Sequence, residues 1–447
     1  MEQDTQVTME FARVAGKAVV ADFEGGVVTS DAGLLFLRQT ESRIGIIDRL
    51  ARCVHDRRDP RHVEHSVREL LTQRVMQIAA GYEDADDSDA LRTDPSLKVA
   101  CGRAPLSGKA LGSQPTVSRL ENAASRPTLY RIAQGFVDAF IDSYRTPPKK
   151  IILDIDDTDD PTHGAQQLSL FNAHYGGYCY LPLHIYEGRS GKLVLSLLRP
   201  GKRPTGAHVA AILRRVIERV RRRWPRVKIL VRGDSHFSGP EMFDMCRRMG
   251  RVRFVLGLSS NRVLAALVEG AVRQVEAAYG QIGKKLKVFV EFAYQAQSWS
   301  RAQRVICKIE VNELGRNVRF IVTDISRRNA QRIYDEVYCA RGAMENYIKN
   351  HKTYLHSDRT SCHTFEANQF RLFLHSAAYV LLHALNEKGL RGTELAASQF
   401  DTIIRKVVKI GAVVVERLSQ IRFHLPTSCP FAALYGRIHT NLASATS

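Results

Sequence analysis

The sequence predicts an α/β protein in which a mostly helical first third is followed by a strand-rich core. Before the Pro147-Pro148 pair, apolar residues recur at helical spacing. After it, short apolar runs separated by turn residues are typical of strands. The 447 residues exceed one ordinary domain, so we expect two or three domains.

The first third contains two helical patterns and a third candidate. Thr29, Ser30 and Asp31 are possible caps for a helix over residues 34–37, and residues 65–80 place apolar side chains at helical intervals. Small polar residues open the segment 113–122, which is a candidate recognition helix for terminal DNA repeats. Two prolines cannot continue a helix, so this region ends near residue 146.

The core begins with five elements in the order strand, strand, strand, helix, strand. Gly188 and Gly191 separate the second and third strands as in a hairpin, and Pro225 ends the helix. The five segments are 150–155, 179–186, 192–198, the helix 206–224, and 227–231.

Further strands and long helices follow. The apolar stretch 370–385 carries Arg371, His375 and His383, so we interpret it as a buried helix and not as a membrane span. The remaining predicted strands are 287–295, 303–311 and 317–323, and the helices are 330–351, 365–385 and 402–418.

The charge of the chain indicates a polyanionic partner. Lys and Arg number 65 against 46 Asp and Glu, a net charge of +19, which favours nucleic acid first and an anionic membrane second. Residues 200–255 hold 15 basic and 4 acidic side chains. A solvated helix face does not need such one-sided charge, whereas DNA phosphates do, so we predict backbone contacts there and a steep salt dependence.

The start of the chain and its cysteines predict a cytoplasmic protein. The first residues are acidic and lack the apolar core of a secretory signal. Eight scattered cysteines with no Cys-x-x-Cys pair favour reduced thiols over disulfides or a zinc site. We expect no membrane association, and binding to the nucleoid when DNA is bound.

Carboxylates follow two of the predicted strands. Residues 154–160 contain five aspartates, which form either a solvated acidic turn with a helix cap or a site for a hard divalent cation. A period of two places Asp154 and Asp156 on one strand face. Asp234 follows the strand 227–231 in the same way.

A later helix carries four functional side chains on one face. In a regular helix, Tyr338, Arg341, Glu345 and Lys352 lie within an arc of about 60°. Such a face is either a surface salt-bridged face or one whose Glu binds metal while Arg and Lys bind phosphates. Two strand-end aspartates and this Glu are what two Mg2+ ions need for phosphoryl transfer, in which one ion activates water or a 3′-hydroxyl and the other stabilises the leaving oxygen. Separate elements can bring the three carboxylates to one point, but the spacing alone does not show it.

The spacing Tyr-x2-Arg-x3-Glu-x6-Lys resembles the Y-R-E-K signature of DDE transposases of bacterial insertion sequences. Further segments are similar to the thirteen-eighty insertion-sequence family, and the similarity runs from Ser30 over nearly the whole chain. The segments are 153–164, 171–172, 178–183 and 358–363.

The resemblance implies a ribonuclease-H-like catalytic core with a β-rich insertion at about 256–325, preceded by a helical N-terminal domain. The expected domains are a DNA-end-binding domain at 1–146, the core at 147–364 and a helical region at 365–447.

The resemblance also implies a catalytic and metal-binding triad of Asp156, Asp234 and Glu345 with two Mg2+ ions, which Mn2+ can replace. The ligand choice among Asp154, Asp156 and Asp157 stays open. Trp299, in the insertion, either holds a flipped base or packs at a sheet edge. The residues predicted to contact DNA are Tyr338, Arg341, Lys352, Arg221, Arg222, Arg223 and Trp299.

The partners implied are double-stranded DNA, as terminal inverted repeats and as target, and a second protomer. A chain of charge +19 repels itself, so we expect a monomer alone and a dimer on DNA. The helices 365–385 and 402–418 are apolar enough to supply core or interface.

Three other functions compete. A haloacid-dehalogenase-type phosphatase fits Asp154-x-Asp156-x-Thr158, with Asp154 as nucleophile, but the aspartate after Asp234 is Asp244, too far along for its later motif. A cellular nuclease of the same fold shares the chemistry. A non-catalytic DNA-binding protein is disfavoured by the intact carboxylates.

Overall fold

The computed structural model of the protein describes residues 8–202 and 205–444. The strands are β1 (Met9–Val14), β2 (Lys17–Ala21), β3 (Val28–Thr29), β4 (Lys150–Asp157), β5 (Asp160–Pro161), β6 (Leu170–Asn172), β7 (Gly177–Tyr180), β8 (Leu183–Glu187), β9 (Leu193–Leu197), β10 (Lys228–Gly233), β11 (Val252–Leu258), β12 (Leu286–Tyr294), β13 (Gln303–Asn312), β14 (Gly315–Thr323), β15 (Ala412–Glu416) and β16 (Ile421–His424).

The helices are α1 (Leu34–Ile44), α2 (Ile46–Cys53), α3 (Val67–Ala79), α4 (Asp87–Leu91), α5 (Pro95–Ala100), α6 (Gln114–Asn122), α7 (Arg126–Asp142), α8 (Gly206–Arg223), α9 (Pro240–Arg248), α10 (Arg262–Ile282), α11 (Ala330–Arg332), α12 (Ala343–Lys352), α13 (Phe365–Ala384), α14 (Phe400–Ile403) and α15 (Ala432–Ser444). The α/β class is confirmed, and a large mixed sheet is its main feature.

The chain forms two compact units. One combines the residues up to Ala51 with Asp56–Leu120 and the residues from Ala384 onward, and the other combines Arg52–His55 with Glu121–His383. The domain boundaries predicted near residues 146 and 364 separate functions and not compact units, so they stay predictions. Among the described helices, none has both the length and the apolar character needed to cross a membrane.

The first unit is mostly helical. Helix α3 begins where the Ser66 hydroxyl accepts a hydrogen bond from the Glu69 amide, and α5 begins with the same use of Asp94 before Pro95. Leu70, Ala85 and Val117 pack into one apolar cluster. Helices therefore supply most of this core, as the helical spacing of the sequence predicts.

A buried carboxylate caps one helix of this unit and makes its stability depend on pH. Glu41 accepts hydrogen bonds from the amides of Ile47 (2.8 Å) and Asp48 (3.4 Å) at the start of α2. Burial raises the pKa of Glu41 to about 7. The folded carboxyl holds its proton more tightly than the unfolded one. The stability that protonated Glu41 contributes is therefore fully present below about pH 4.5 and is lost as the pH rises towards 7.

Replacing Glu41 with Gln is expected to remove this pH dependence. The amide oxygen still accepts from α2, but no charge is buried, so at pH 8 the variant should gain roughly 1–3 kcal/mol in free energy of unfolding. At pH 4.5 it should match the parent. Urea unfolding of the variant and the parent at both pH values measures this difference. An equal gain in free energy of unfolding at pH 8 and pH 4.5 would contradict the role of the buried charge.

The second unit contains an eight-stranded sheet in the order β12-β13-β14-β11-β10-β4-β8-β9. Strands β4, β10 and β11 run parallel, and β8, β9 and β14 pair antiparallel with their neighbours. Apolar side chains cover both faces of β4 and β10, as parallel central strands require. Since β4 and β10 are parallel neighbours, their carboxyl ends meet at one edge of the sheet.

Helix α8 leads from β9 to β10 and confirms the predicted helix at 206–224 closely. The Thr205 hydroxyl caps its first turn, and Pro225 follows its end. The strand-rich segment predicted at 256–325 also forms, but β12, β13 and β14 extend the main sheet by antiparallel pairing.

A predicted strand and a predicted helix near the end of the chain differ from the structure. The strand predicted at 179–186 is split at Leu181-Pro182 into β7 and β8, which belong to different sheets, because Pro182 has no amide for a ladder. The helix predicted at 402–418 is wrong after residue 408. Its Val413-Val414-Val415 run forms β15, since β-branched residues pack well between the strands β3 and β16.

Candidate active site

The helix predicted at 330–351 is irregular where it carries the functional side chains. A π-helical turn spans Ile333–Tyr338, a 3-10 turn spans Cys339–Gly342, and regular α12 begins at Ala343. The arc of about 60° calculated for a regular helix therefore does not apply. π-Helical turns add a residue to the turn and are frequent at functional sites.

Two aspartates meet at the carboxyl edge of the sheet. Asp156 is the next-to-last residue of β4, and Asp234 follows β10 and caps a short turn by accepting from the His236 amide at 2.9 Å. Burial raises the pKa of Asp156 to about 7, with the opposing charge of Arg341 and the reinforcing charges of Asp234 and Asp157 already included in that value. These carboxylates are therefore close enough to repel one another.

Arg341 supplies the positive charge that faces Asp156. Its Nη2 lies 2.7 Å from Asp156 Oδ2, and both side chains are mostly buried. Glu345, one turn later in α12, is exposed. Within the described ranges, no group of three or more His, Cys, Asp or Glu side chains is arranged to hold a metal ion. The structure thus brings Asp156 and Asp234 together but does not gather Glu345 with them.

The carboxylate oxygens at this edge are the donors that a hard divalent cation prefers. The mutual repulsion of Asp156 and Asp234 is what such a cation would relieve. Asp156 and Asp234 therefore offer oxygen donors that fit Mg2+. Glu345, the third predicted ligand, would have to move its side chain towards these two aspartates.

Asp154 is held in a buried ion pair with Arg232. It is fully buried, and Arg232 on the neighbouring strand donates to both of its oxygens at 2.6 Å. Arg232 also donates to the Val337 carbonyl at 2.7 Å. The prediction that Asp154 and Asp156 share a strand face is consistent with their register, since they lie opposite Tyr186 and His184 of β8. A nucleophile held in this way is inaccessible, which argues against the phosphatase alternative.

Asp157 is also engaged by an arginine. Arg199, which is almost fully buried, donates to Asp157 Oδ2 at 2.7 Å and to the Leu181 carbonyl at 2.7 Å. His236 lies between two carboxylates, with Nδ1 at 3.5 Å from Asp157 and 3.7 Å from Asp234. Sequence reasoning missed Arg199, Arg232 and His236, although Arg232 and His236 flank Asp234 in the sequence.

The remaining residues of the Y-R-E-K pattern have protein partners. Lys352 Nζ donates to Thr158 Oγ1 at 3.1 Å and to Asp159 Oδ1 at 2.9 Å, so it ties α12 to the segment after β4. Tyr338 is half-buried, and its hydroxyl lies over Gly257, beside the backbone of Asp234. Lys352 thus helps to position the segment after β4, and the DNA contacts of both side chains stay predictions.

Trp299 is buried in the described structure. Its ring packs edge-on against Phe243 at 5.0 Å and Tyr294 at 5.3 Å between centroids, and only 8% of the residue is exposed. This arrangement agrees with the second of the two roles predicted for Trp299, a side chain packed at a sheet edge. Its role in holding a flipped base stays a prediction.

The three arginines at the end of α8 differ in their surroundings. Arg221 donates to the carbonyls of Met249 and Gly250, whereas Arg222 and Arg223 are both exposed, and Arg223 pairs with Asp142 at 3.2 Å. The three arginines lie about 25 Å from the first residue of α8. Because α8 leads into the start of β10, they are at the end of the sheet opposite the carboxylates.

A model of the family described as transposase DDE domain, group 1, matches residues 11–447. The match spans nearly the whole chain, so the protein belongs to this family and is a transposase. The insertion-sequence branch named above is a finer assignment than this match gives.

One solved structure similar to this chain is the cryo-EM structure of the piggyBac transposase synaptic complex with hairpin DNA. The identity is 11%, the TM-score is 0.43, and the alignment covers 85% of this chain and 80% of that one. A similarity of this size carries no argument about function. No match to this chain was found among curated proteins.

Proposed function

We propose that the protein is a metal-dependent DDE transposase that cleaves DNA at the ends of an insertion sequence and joins them to a target. The observation that carries the proposal is the meeting of Asp156 and Asp234 at the ends of parallel neighbouring strands, with the Asp234 charge raising the pKa of Asp156. Asp154 and Asp157 pair with Arg232 and Arg199, which are each only 2% exposed, whereas Asp156 pairs with the more exposed Arg341. This difference supports Asp156 as the ligand on this strand.

The proposed ligands of Mg2+ are Asp156, Asp234 and Glu345 in a ribonuclease-H-like core. The strand order β9-β8-β4-β10-β11 within the sheet supports this core. A bound divalent cation would supply Lewis-acid stabilisation of a phosphodiester under attack. Arg341 would balance the Asp156 charge before metal and DNA bind, and would then be available to a phosphate.

The partners we propose are double-stranded terminal repeats, target DNA and a second protomer on DNA. The net charge of +19 supports a polyanionic partner and disfavours a dimer without one. Light scattering should find a monomer alone and two protomers with two end duplexes. A stable dimer at micromolar protein without DNA would contradict this assembly.

The catalytic proposal is tested with Asp156→Asn, Asp234→Asn and Glu345→Gln in a cleavage assay on the DNA that flanks the coding region, with Mg2+ or Mn2+. Each variant should lose cleavage and keep DNA binding in a mobility-shift assay, because it removes a ligand but no basic group. Glu269→Gln is the matched control, since Glu269 pairs with Arg273 within α10. Cleavage by Glu345→Gln at the parent rate would remove Glu345 from the triad.

The basic end of α8 gives a separate prediction about salt. Because Arg221 is held by two backbone carbonyls while Arg222 and Arg223 are exposed, Arg222→Gln alone should flatten the slope of log affinity against log salt by about one unit, and the triple Gln variant by about two. Fluorescence anisotropy between about 50 and 200 mM salt measures the slope. A triple-variant loss of three units would mean that DNA also draws Arg221 away from the two carbonyls.

A further inference from the structure

A small three-stranded sheet beside the carboxylate edge presents exposed aromatic side chains that the mechanism does not use. Its strand order is β5-β7-β6, and the loop 173–176 joins β6 to β7. We call β6, this loop and β7 the aromatic hairpin. Phe171 of β6 and Tyr178 of β7 lie directly opposite one another, with ring centroids 5.7 Å apart at 71°.

These rings are open to solvent. Phe171 is 57% exposed and Tyr178 is 62% exposed, and Tyr175 in the loop is 39% exposed. By contrast, Trp299 is 8% exposed and its ring contacts two other aromatic residues. An aromatic ring that is meant to stack on a base must present a face to solvent, so the aromatic hairpin meets this requirement and Trp299 does not.

The aromatic hairpin is held in place by its base. Asn172 Nδ2 donates to the Gly201 carbonyl at 2.8 Å, and the Asn172 carbonyl accepts from the Gly176 amide at 2.9 Å. At the other end of β7, the Tyr180 hydroxyl donates to the Gln167 carbonyl at 2.6 Å. The exposed rings therefore sit on an ordered support, which lowers the entropy lost when a ligand binds.

The loop of the aromatic hairpin adjoins the candidate active site. The His174 ring lies 6.1 Å from the His236 ring, and His236 lies between Asp157 and Asp234. The charges of Asp157, Asp159 and Asp156 add to burial in raising the pKa of the Tyr175 hydroxyl to about 12. A DNA strand held at the carboxylates would therefore pass the aromatic hairpin.

The charge beside the rings fits the same ligand. Lys202 is exposed directly after Gly201, whose carbonyl anchors Asn172. A lysine next to exposed aromatic faces is the combination that binds single-stranded nucleic acid, with the cation on the backbone and the rings on the bases. A base pair inside a duplex has both faces covered by its neighbours, and a terminal pair has one open face, so unpaired bases offer the rings more surface for stacking.

We propose that the aromatic hairpin stacks unpaired bases of the DNA strand next to the cleavage site, through Phe171 and Tyr178. The inference rests on the proposed function and adds a ligand subsite to it. It predicts that the protein prefers a DNA end with unpaired bases over the same end fully paired.

The test uses the full chain and two duplexes of one sequence, taken from the DNA flanking the coding region. One is fully paired, and the other has an unpaired arm that contains 2-aminopurine. The parent should bind the forked duplex more tightly and change the 2-aminopurine fluorescence. Phe171→Leu with Tyr178→Leu should reduce this preference by about 10- to 100-fold and leave the affinity for the paired duplex unchanged.

Two further variants separate stacking from folding. Tyr178→Phe keeps the ring and should keep the preference, and Tyr130→Leu removes a similarly exposed tyrosine from α7 and should also keep it. An unchanged preference in the double Leu variant would overturn the inference and leave the proposed function standing. Failure of the parent to bind either duplex would overturn both, and a change of oligomeric state in the double Leu variant would identify a protein interface instead.

Discussion

Replacing Asp154 with Ala is expected to lower the free energy of unfolding by about 3–5 kcal/mol, because it leaves the Arg232 guanidinium buried without its partner. Both side chains are at most 2% exposed, and the two hydrogen bonds between them measure 2.6 Å. Arg232 would keep only its bond to the Val337 carbonyl, which does not neutralise its charge. Urea unfolding of the variant and the parent measures the loss.

The double variant Asp154→Leu with Arg232→Met is the matched control. It removes both charges and fills a similar volume, so much of the lost stability should return. Asp156→Ala should cost far less stability than Asp154→Ala, since burial and neighbouring charges already raise the pKa of Asp156 to about 7. A stable Asp154→Ala variant that lost cleavage, beside an active Asp156→Ala variant, would make Asp154 the ligand and Asp156 the dispensable residue.

Replacing Gly257 with Ala is expected to reduce cleavage by about 100-fold or more while the sheet still forms. A Cβ at this position of β11 would lie 2.8 Å from the Ser235 amide nitrogen, 3.1 Å from the Asp234 carbonyl carbon and 2.8 Å from the Tyr338 hydroxyl. Backbone atoms cannot rotate away as a flexible side chain can, so Asp234 must move. A displacement of about 1 Å at a catalytic group can cost about 100-fold in rate.

Gly270→Ala is the control for this substitution. Gly270 lies inside α10, and a Cβ there meets nothing within 4 Å, so the variant should cleave normally and gain about 0.5–1 kcal/mol in stability. Adding Tyr338→Phe to Gly257→Ala tests the cause. It removes the hydroxyl but not the backbone clash, so activity should not return. Full recovery would show that the Tyr338 hydroxyl, and not the Asp234 backbone, responds to the new methyl group.

Local signals predicted much of the core. The apolar run before Asp156, the helical spacing over 206–224 and the run before Asp234 each depend on a few consecutive residues, and each element formed close to its predicted bounds. Local spacing failed at Pro182 and at 413–415, where the missing amide and the available partner strands decided the outcome.

The candidate site was predictable in its residue types and only partly in its contacts. The sequence alone determined that aspartates follow two apolar strands, that residues 200–255 are strongly basic and that Tyr338, Arg341, Glu345 and Lys352 recur at fixed spacing. These properties depend on order along the chain.

Tertiary structure alone decided which charges face one another. Asp154 and Arg232 are 78 residues apart and pair because β4 and β10 are neighbours in register. The irregular helix before α12 turns Arg341 towards Asp156 and leaves Glu345 exposed. Ion pairing and burial depend on distances between residues, and the order of strands in the sheet sets these distances. The spacing of residues along the sequence does not reveal that order.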